Sequence, residues 1–191
     1  MAWTGSREEA LGVLRQHVKA EHLIRHALTV EAVMRHFAQV YGEDSEKWGV
    51  IGLLHDIDFE KYPEQHCQKV RELLTPHGYP EDYLHAIESH GYGLVSDVEP
   101  VETMEKALFA ADELTGLIAA TALMRPSRSI LDLEVGSVKK KWKQKGFAAG
   151  VNREVVSQGA AMLGLTIEEL IAHTITGMQA VAEEIGLKGE L

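Results

Sequence analysis

The chain has 191 residues, of which 45% are hydrophobic and 25% charged, a composition typical of a folded globular protein rather than a disordered one. Its formal charge of −10 argues against broad nucleic-acid binding, which needs a basic surface. A single cysteine, Cys67, excludes an internal disulfide framework, and no apolar run approaches the ~20 residues that span a bilayer. We therefore expect a cytoplasmic protein with no membrane association.

Apolar residues recur at helical spacing along most of the chain. Gly42 marks the end of one predicted helix, and Asp44 or Ser45 caps the start of the next. Pro63 and Pro80 each suit the first position of a helix. The predicted helices cover residues 7–18, 21–41, 44–56, 63–74, 80–90, 101–124, 135–150, 152–164 and 166–186.

No segment alternates polar and apolar residues over the length of a strand, and neither repeats nor a flexible linker interrupt the chain. The sequence therefore predicts an all-α fold. We expect one domain over residues 1–191, with a core at about 20–125 and a C-terminal helical extension at about 126–191.

Polar residues that interrupt apolar helical faces are the candidates for a functional site. His55 and Asp56 follow the apolar residues of "GLLHDIDFE", and Asp112 lies in "ALFAADELTGLIAA", where nearly every neighbour is apolar. A buried, unpaired carboxylate would be driven neutral, so Asp112 requires a cation. Together with His26, His66 and His90, these residues offer mixed nitrogen and oxygen ligands that suit Fe, Mn, Zn, Co or Ni.

Other readings of the polar residues remain open. The histidines could be core residues satisfied by hydrogen bonds, and His17, His36 and His173 are predicted on helix surfaces. Cys67 is expected to be a small core residue rather than a nucleophile. The lysine run at 139–145 is either a funnel for phosphates or a solvated helix face with Trp142 turned inward.

The ordered series of His26, His55-Asp56, His66, His90 and Asp112 resembles the signature of the HD-domain superfamily, including its branches that bind two metal ions. "GLLHDID" resembles the HD motif, and "EKALFAADELTGLI" resembles the segment with the last ligand. "VEAVMRHFA", "RPS" and "SVKKKWKQKGFAAGVNRE" look like the uncharacterised bacterial HDIG-type hydrolases, so the resemblance covers roughly residues 20–185. Asp58 stands where glycine is usual in that motif, which leaves loop shape or substrate choice open.

This resemblance implies about five core helices with additional C-terminal helices, one or two divalent transition-metal ions, and phosphohydrolase activity on a nucleotide or another small phosphate ester. Asp56 would bridge two ions and orient the nucleophile. Asp58 would either fix the tautomer of an imidazole or accept the proton of the attacking water. Lys106 and Arg125 flank Asp112 and are predicted to contact the phosphate.

Two other functions remain open at this point. The same six ligands could serve an HD-fold di-iron oxygenase, or the chain could be a non-catalytic module that binds a metal or a nucleotide. The expected partner is a small phosphorylated substrate, with a nucleotide as the first choice, and a homodimer is possible. The sequence identifies neither the substrate nor the metal.

Overall fold

The computed structural model describes residues 5–190 of the protein. That part of the chain contains nine α-helices and, in place of a sheet, a single isolated bridge between Tyr92 and Ser96. The prediction of an all-α fold is confirmed. The helices are α1 (Arg7–His17), α2 (Glu21–Tyr41), α3 (Ser45–Leu54), α4 (Val70–Leu74), α5 (Glu81–Ser89), α6 (Thr103–Leu123), α7 (Val135–Trp142), α8 (Arg153–Leu163) and α9 (Ile167–Gln179).

The junction between α2 and α3 follows from its capping residues. α2 ends at Gly42, whose φ of 71° is a left-handed conformation that costs glycine little. Asp44 then caps α3, because its Oδ1 accepts from the backbone N–H groups of Glu46 and Lys47 at 2.9 and 3.1 Å. This sharp turn folds α3 back along α2.

α3 lies unusually close to α2. A Cβ atom at Gly52 would be 3.0 Å from the carbonyl oxygen of Val30 and 3.1 Å from the Cα of Glu31. Any larger residue would push the two helices apart. The close contact brings His55, which directly follows α3, against His26 in the second turn of α2.

α6 is the central helix of the core, and thirteen of its residues are buried. It packs against α2 on one side and against α7, α8 and α9 of the C-terminal extension on the others. At Gly159 of α8, a Cβ atom would be 2.5 Å from the Cα of Ala110, so glycine is required for the two helices to pack this closely. The extension is therefore part of the packing that holds Asp112 in place.

Three of the predicted helices differ from the structure by more than two residues at one end. The predicted helix 63–74 is split into a single 3-10 turn, Pro63–Gln65, and α4, because Cys67 adopts a left-handed φ of 65°. The predicted helix 135–150 ends at Trp142, where the Arg153 guanidinium donates to the carbonyl oxygens of Trp142 and Phe147 at 3.0 and 2.6 Å. α9 ends at Gln179 and continues only as turns.

Between residues 5 and 190, no single helix has the length and hydropathy needed to cross a bilayer. α8 and α9 reach the required values only when taken as a pair, and they are bent by 96° relative to each other.

Candidate metal centre

Six polar side chains from different parts of the core converge at one place. Three come from the middle or the end of long packed helices: His26 lies within α2, Asp112 within α6, and His90 immediately follows α5. The other three come from the segment between α3 and α4. They are His55, Asp56 and His66.

Four donor atoms form the first half of the cluster. The Nε2 atoms of His26 and His55 are 3.1 Å apart. The Oδ1 atom of Asp112 lies 2.9 Å from Nε2 of His26 and 3.3 Å from Nε2 of His55. The Oδ2 atom of Asp56 lies 3.5 and 3.4 Å from the same two nitrogens. The donor atoms of His26, His55 and Asp112 thus form one group within 4.8 Å of one another, and the Asp56 oxygen lies beside its two nitrogens.

The second half of the cluster uses the other oxygen of the same carboxylate. Oδ1 of Asp56 lies 3.3 Å from Nε2 of His66 and 3.5 Å from Nε2 of His90. These two nitrogens are 3.1 Å apart. Asp56 thus contributes one oxygen to each half, the placement that a bridging ligand would need.

The spacing of the donor atoms fits metal coordination. Nitrogen and oxygen ligands lie about 2.0–2.2 Å from a transition-metal ion, so neighbouring ligands at angles of about 90–110° are about 2.8–3.6 Å apart. The distances within both halves, from 2.9 to 3.5 Å, fall within this range. Ring nitrogens that lie 3.1 Å apart beside two carboxylates are compatible with a shared cation, either a metal ion or protons on the rings.

Hydrogen bonds on the far side of the rings fix which nitrogen faces the cluster. Nδ1 of His55 lies 2.7 Å from the carbonyl oxygen of Gly52, and Nδ1 of His90 lies 2.5 Å from that of Ile87. Because a carbonyl oxygen can only accept, both Nδ1 atoms carry a proton. The Nε2 atoms of the neutral rings are therefore left with lone pairs directed at the centre, as metal ligation requires.

Asp58 orients the third ring. Its Oδ1 accepts from Nδ1 of His66 at 2.8 Å, and its Oδ2 accepts from the backbone N–H of Lys69 at 3.1 Å. The carboxylate is fully buried. Both oxygens are therefore engaged inside the protein, one of them with the Nδ1 proton of His66, and the role of Asp58 stays a prediction.

The electrostatics of the cluster favour a positive charge. Burial opposes protonation of His55, but Asp56 and Asp112 outweigh it and raise its pKa to about 10. Burial alone would raise the pKa of Asp112, yet His55 and His26 hold it far below its ordinary value. In the absence of a metal ion, a proton therefore takes the place of the cation that the two carboxylates demand.

The cluster is buried on one side and open on the other. The His55 side chain is fully buried, whereas those of His26 and Asp112 are 28% and 19% exposed. Asp56 retains 17% exposure although it lies between the two halves. An external molecule can therefore reach the side of the cluster formed by His26, Asp56 and Asp112.

The two predicted phosphate-binding cations are not part of this arrangement. Arg125 forms a two-pronged ion pair with Asp132, at 3.2 and 2.9 Å, and also contacts the Ser137 hydroxyl. It lies thirteen positions after Asp112, about 20 Å along the helix direction. Lys106 precedes Asp112 by six positions, which places it about 9 Å away along α6 and well round the helix. Neither position supports the prediction of phosphate contact.

Cys67 lies at the cluster, a position that sequence patterns did not reveal. Its Sγ is 3.8 Å from both ring nitrogens of His90, and the thiol is buried as expected for a core residue. Burial alone would raise the pKa of the Cys67 thiol, but His90 and His66 more than offset this effect and lower the pKa to about 7. Because Cys67 adjoins His66 in the sequence, a position near the cluster could be expected. The left-handed backbone conformation of Cys67 has no local sequence signal.

Comparison with protein families agrees with this geometry. Residues 23–117 match the family model described as the HD domain. No curated protein and no solved structure matches the chain. The matched span contains all six residues of the cluster.

Proposed function

The chain belongs to the HD-domain superfamily through residues 23–117, and from this membership we propose that it is a metal-dependent phosphohydrolase acting on a nucleotide or another small phosphate ester. The proposal extends to the residues that hold the metal. His26, His55, Asp56 and Asp112 would bind one divalent ion, and His66, His90 and the second oxygen of Asp56 would bind another.

The placement of Asp56 is the observation that carries the proposal. Its Oδ2 lies 3.4–3.5 Å from the nitrogens of His26 and His55, and its Oδ1 lies 3.3–3.5 Å from those of His66 and His90. A carboxylate shared in this way places two ligand sets side by side. Such pairs are typical of enzymes that displace a phosphoryl group.

Divalent ions bound here would supply Lewis acidity toward phosphate oxygens and would lower the pKa of water. The protein contributes fixed geometry. Gly52, Ile87 and Asp58 hold three of the imidazole rings in the tautomer that leaves Nε2 free. The exposed side of His26 and Asp112 leaves room for a phosphate ester beside the cluster. The buried His55 and Asp58 exclude water from the opposite side.

Phosphate release is the direct test of the proposal. Protein stripped with a chelator would be reloaded separately with Mn, Fe, Co, Ni or Zn, and assayed against nucleoside monophosphates and simple alkyl and aryl phosphates. We expect turnover that disappears on chelation and returns with at least one metal. The matched variants are Asp112→Asn, which should abolish turnover, and Asp132→Asn, whose carboxylate pairs with Arg125 away from the cluster and whose loss should not.

The same preparation separates the proposal from its alternatives. Metal-dependent consumption of dioxygen without phosphate release would identify an oxygenase instead. A protein that binds metal, retains its fold and releases no phosphate from any ester would contradict the phosphohydrolase assignment.

A further inference from the structure

A cavity of about 290 Å³ lies directly beside the metal centre. Its walls come from α2, from α6 and from the C-terminal segment after α9. His26 lines this cavity and is also a member of the first ligand set.

The inner walls of the cavity are apolar. Ile185 and Leu187 are 6% and 5% exposed. The hydroxyl of Thr29 donates to the carbonyl oxygen of Arg25 at 2.7 Å, and that of Thr115 donates to the carbonyl oxygen of Asp112 at 2.7 Å. Because both hydroxyl protons are used within the helices, neither threonine offers a proton to a ligand in the cavity.

The entrance has a different character. His22 and Arg25 are exposed and lie at the edge nearest His26, and no acidic side chain lines the cavity. Among residues 5–190, no carboxylate forms an ion pair with Arg25. Leu123, also at the entrance, leaves 43% of its surface exposed. The entrance thus combines an available guanidinium with apolar surface.

The C-terminal wall is fixed in place, although it lies outside the matched HD domain. The backbone N–H of Ile130 donates to the carbonyl oxygen of Leu187 at 2.8 Å, and the N–H of Leu187 donates to that of Ala182 at 2.8 Å. The cavity is consequently a preformed feature of this chain that requires its C-terminal segment.

We propose that this cavity holds the ester group of the substrate and that the substrate is a monoester of phosphate with a small apolar alkyl or aryl group. This inference rests on the proposed phosphohydrolase function. The ester group would fill the space among Thr29, Thr115 and Leu187, with the phosphate directed toward His26 and Arg25. A ribose would place several hydroxyl groups against apolar walls, where the oxygens of Thr29 and Thr115 can accept from only a few of them, which disfavours nucleotides.

Substitution at Ala119 tests the proposal against a matched control. Ala119 lines the cavity, whereas Ala120, the next residue of α6, has similar partial exposure and does not line it. Metal-loaded wild type should hydrolyse phenyl phosphate with a higher kcat/KM than methyl phosphate or AMP. Ala119→Leu should lower kcat/KM for phenyl phosphate by at least about tenfold while changing that for methyl phosphate less than about threefold. Ala120→Leu should change neither, and metal content should be equal in all three proteins.

Binding provides a readout that does not depend on turnover. By calorimetry, phenylphosphonate should bind the wild type and Ala120→Leu more tightly than methylphosphonate does, and Ala119→Leu should lose this preference. Equal binding of the two phosphonates by the wild type, or a preference that Ala119→Leu retains, would overturn the assignment of the cavity. If no ester is hydrolysed by any metal form, the proposed function fails, and the phosphonate titrations still decide what the cavity binds.

Discussion

Two pairs of histidines bring their ring nitrogens equally close in different regions of the molecule. At the metal centre, the Nε2 atoms of His26 and His55 are 3.1 Å apart. Between α2 and α9, Nε2 of His36 and Nδ1 of His173 are also 3.1 Å apart. Distance between imidazoles therefore does not distinguish a candidate metal centre from a structural contact.

The carboxylates make the difference. Asp56 and Asp112 surround the first pair, and they raise the pKa of His55 to about 10 in spite of its burial. No described carboxylate forms an ion pair with His36 or His173, and burial followed by the neighbouring ring lowers the pKa of His36. The surroundings of the first pair therefore favour a cation and those of the second do not, although each pair consists of two histidines.

The largest effect on turnover and metal binding is expected when the carboxylate of Asp56, which both ligand sets share, is removed. Loss of a single stabilising group in an active site commonly costs about 10²–10³-fold in turnover. Asp56→Ala removes a group common to both ligand sets, so turnover should fall by at least about 10³-fold. Metal content measured by mass spectrometry should fall from two ions to at most one. Circular dichroism should show the helices retained. Near wild-type turnover in this variant would exclude a bridging role for Asp56.

A smaller effect is expected when the orientation of His66 is lost. Asp58→Asn keeps the size of the side chain but removes the charge that holds the Nδ1 proton of His66. Loss of a partner that orients a metal ligand typically costs about 10–100-fold in affinity. Metal titration should show that decrease for the more weakly bound ion and little change for the other. Equal weakening of both ions would mean that the two ligand sets are not separate.

The pH dependence of stability should have opposite signs at the two histidine pairs. In chelated protein, the pKa of His55 of about 10 lies above its ordinary value of 6.5, so its protonation stabilises the fold below about pH 6.5 and this contribution is lost as the pH rises toward 10. His36 has a lowered pKa, so its contribution is present above about pH 6.5 and is lost as the pH falls.

Urea unfolding between pH 5 and 10 checks both signs. In chelated protein, His55→Gln should reduce the loss of stability on the alkaline side, to which His66 and His90 with their raised pKa values also contribute. His36→Gln should reduce the loss on the acidic side. With metal bound, the ion replaces the proton on His55, so stability should instead increase from pH 5 to pH 8 as protons cease to compete for the ligands. The same slope with and without metal would contradict this description of the centre.

The smallest effect is expected at the pair without carboxylates. His36→Gln should leave metal content and turnover unchanged and should alter the free energy of unfolding by no more than about 1 kcal/mol, as is common for a half-buried side chain outside the core. Metal analysis and chemical denaturation measure both quantities. A loss of bound metal in this variant would show that the second histidine pair also binds an ion.

Much of the architecture could be predicted from local sequence signals. The bounds of α2 agree with the prediction because its apolar face is periodic and Gly42 ends it. The sequence indicates the six residues of the cluster because each interrupts an apolar face with a polar group that is costly to bury alone. Their meeting at one point was implied by a family resemblance and not by helix periodicity.

Features that depend on tertiary contacts could not be predicted in this way. A continuous helix through His66 is compatible with the local sequence, but Asp58 binds both the His66 ring and the Lys69 backbone and so holds the chain in a break. The sequence predicts Arg125 as a phosphate ligand, but in the fold Asp132, seven residues later, engages its guanidinium. The sequence predicts His36 and His173 on helix surfaces. Their contact joins residues that are 137 positions apart, so local sequence patterns do not indicate it.

Anomalous diffraction from crystals grown with Mn²⁺ tests the central claim most directly. The two ligand sets that share Asp56 predict two peaks about 3.5–4 Å apart. One should lie among His26, His55 and Asp112, and the other beside His66 and His90. A single peak that contacts neither oxygen of Asp56, or a peak at His36 and His173 with none at Asp56, would contradict the account.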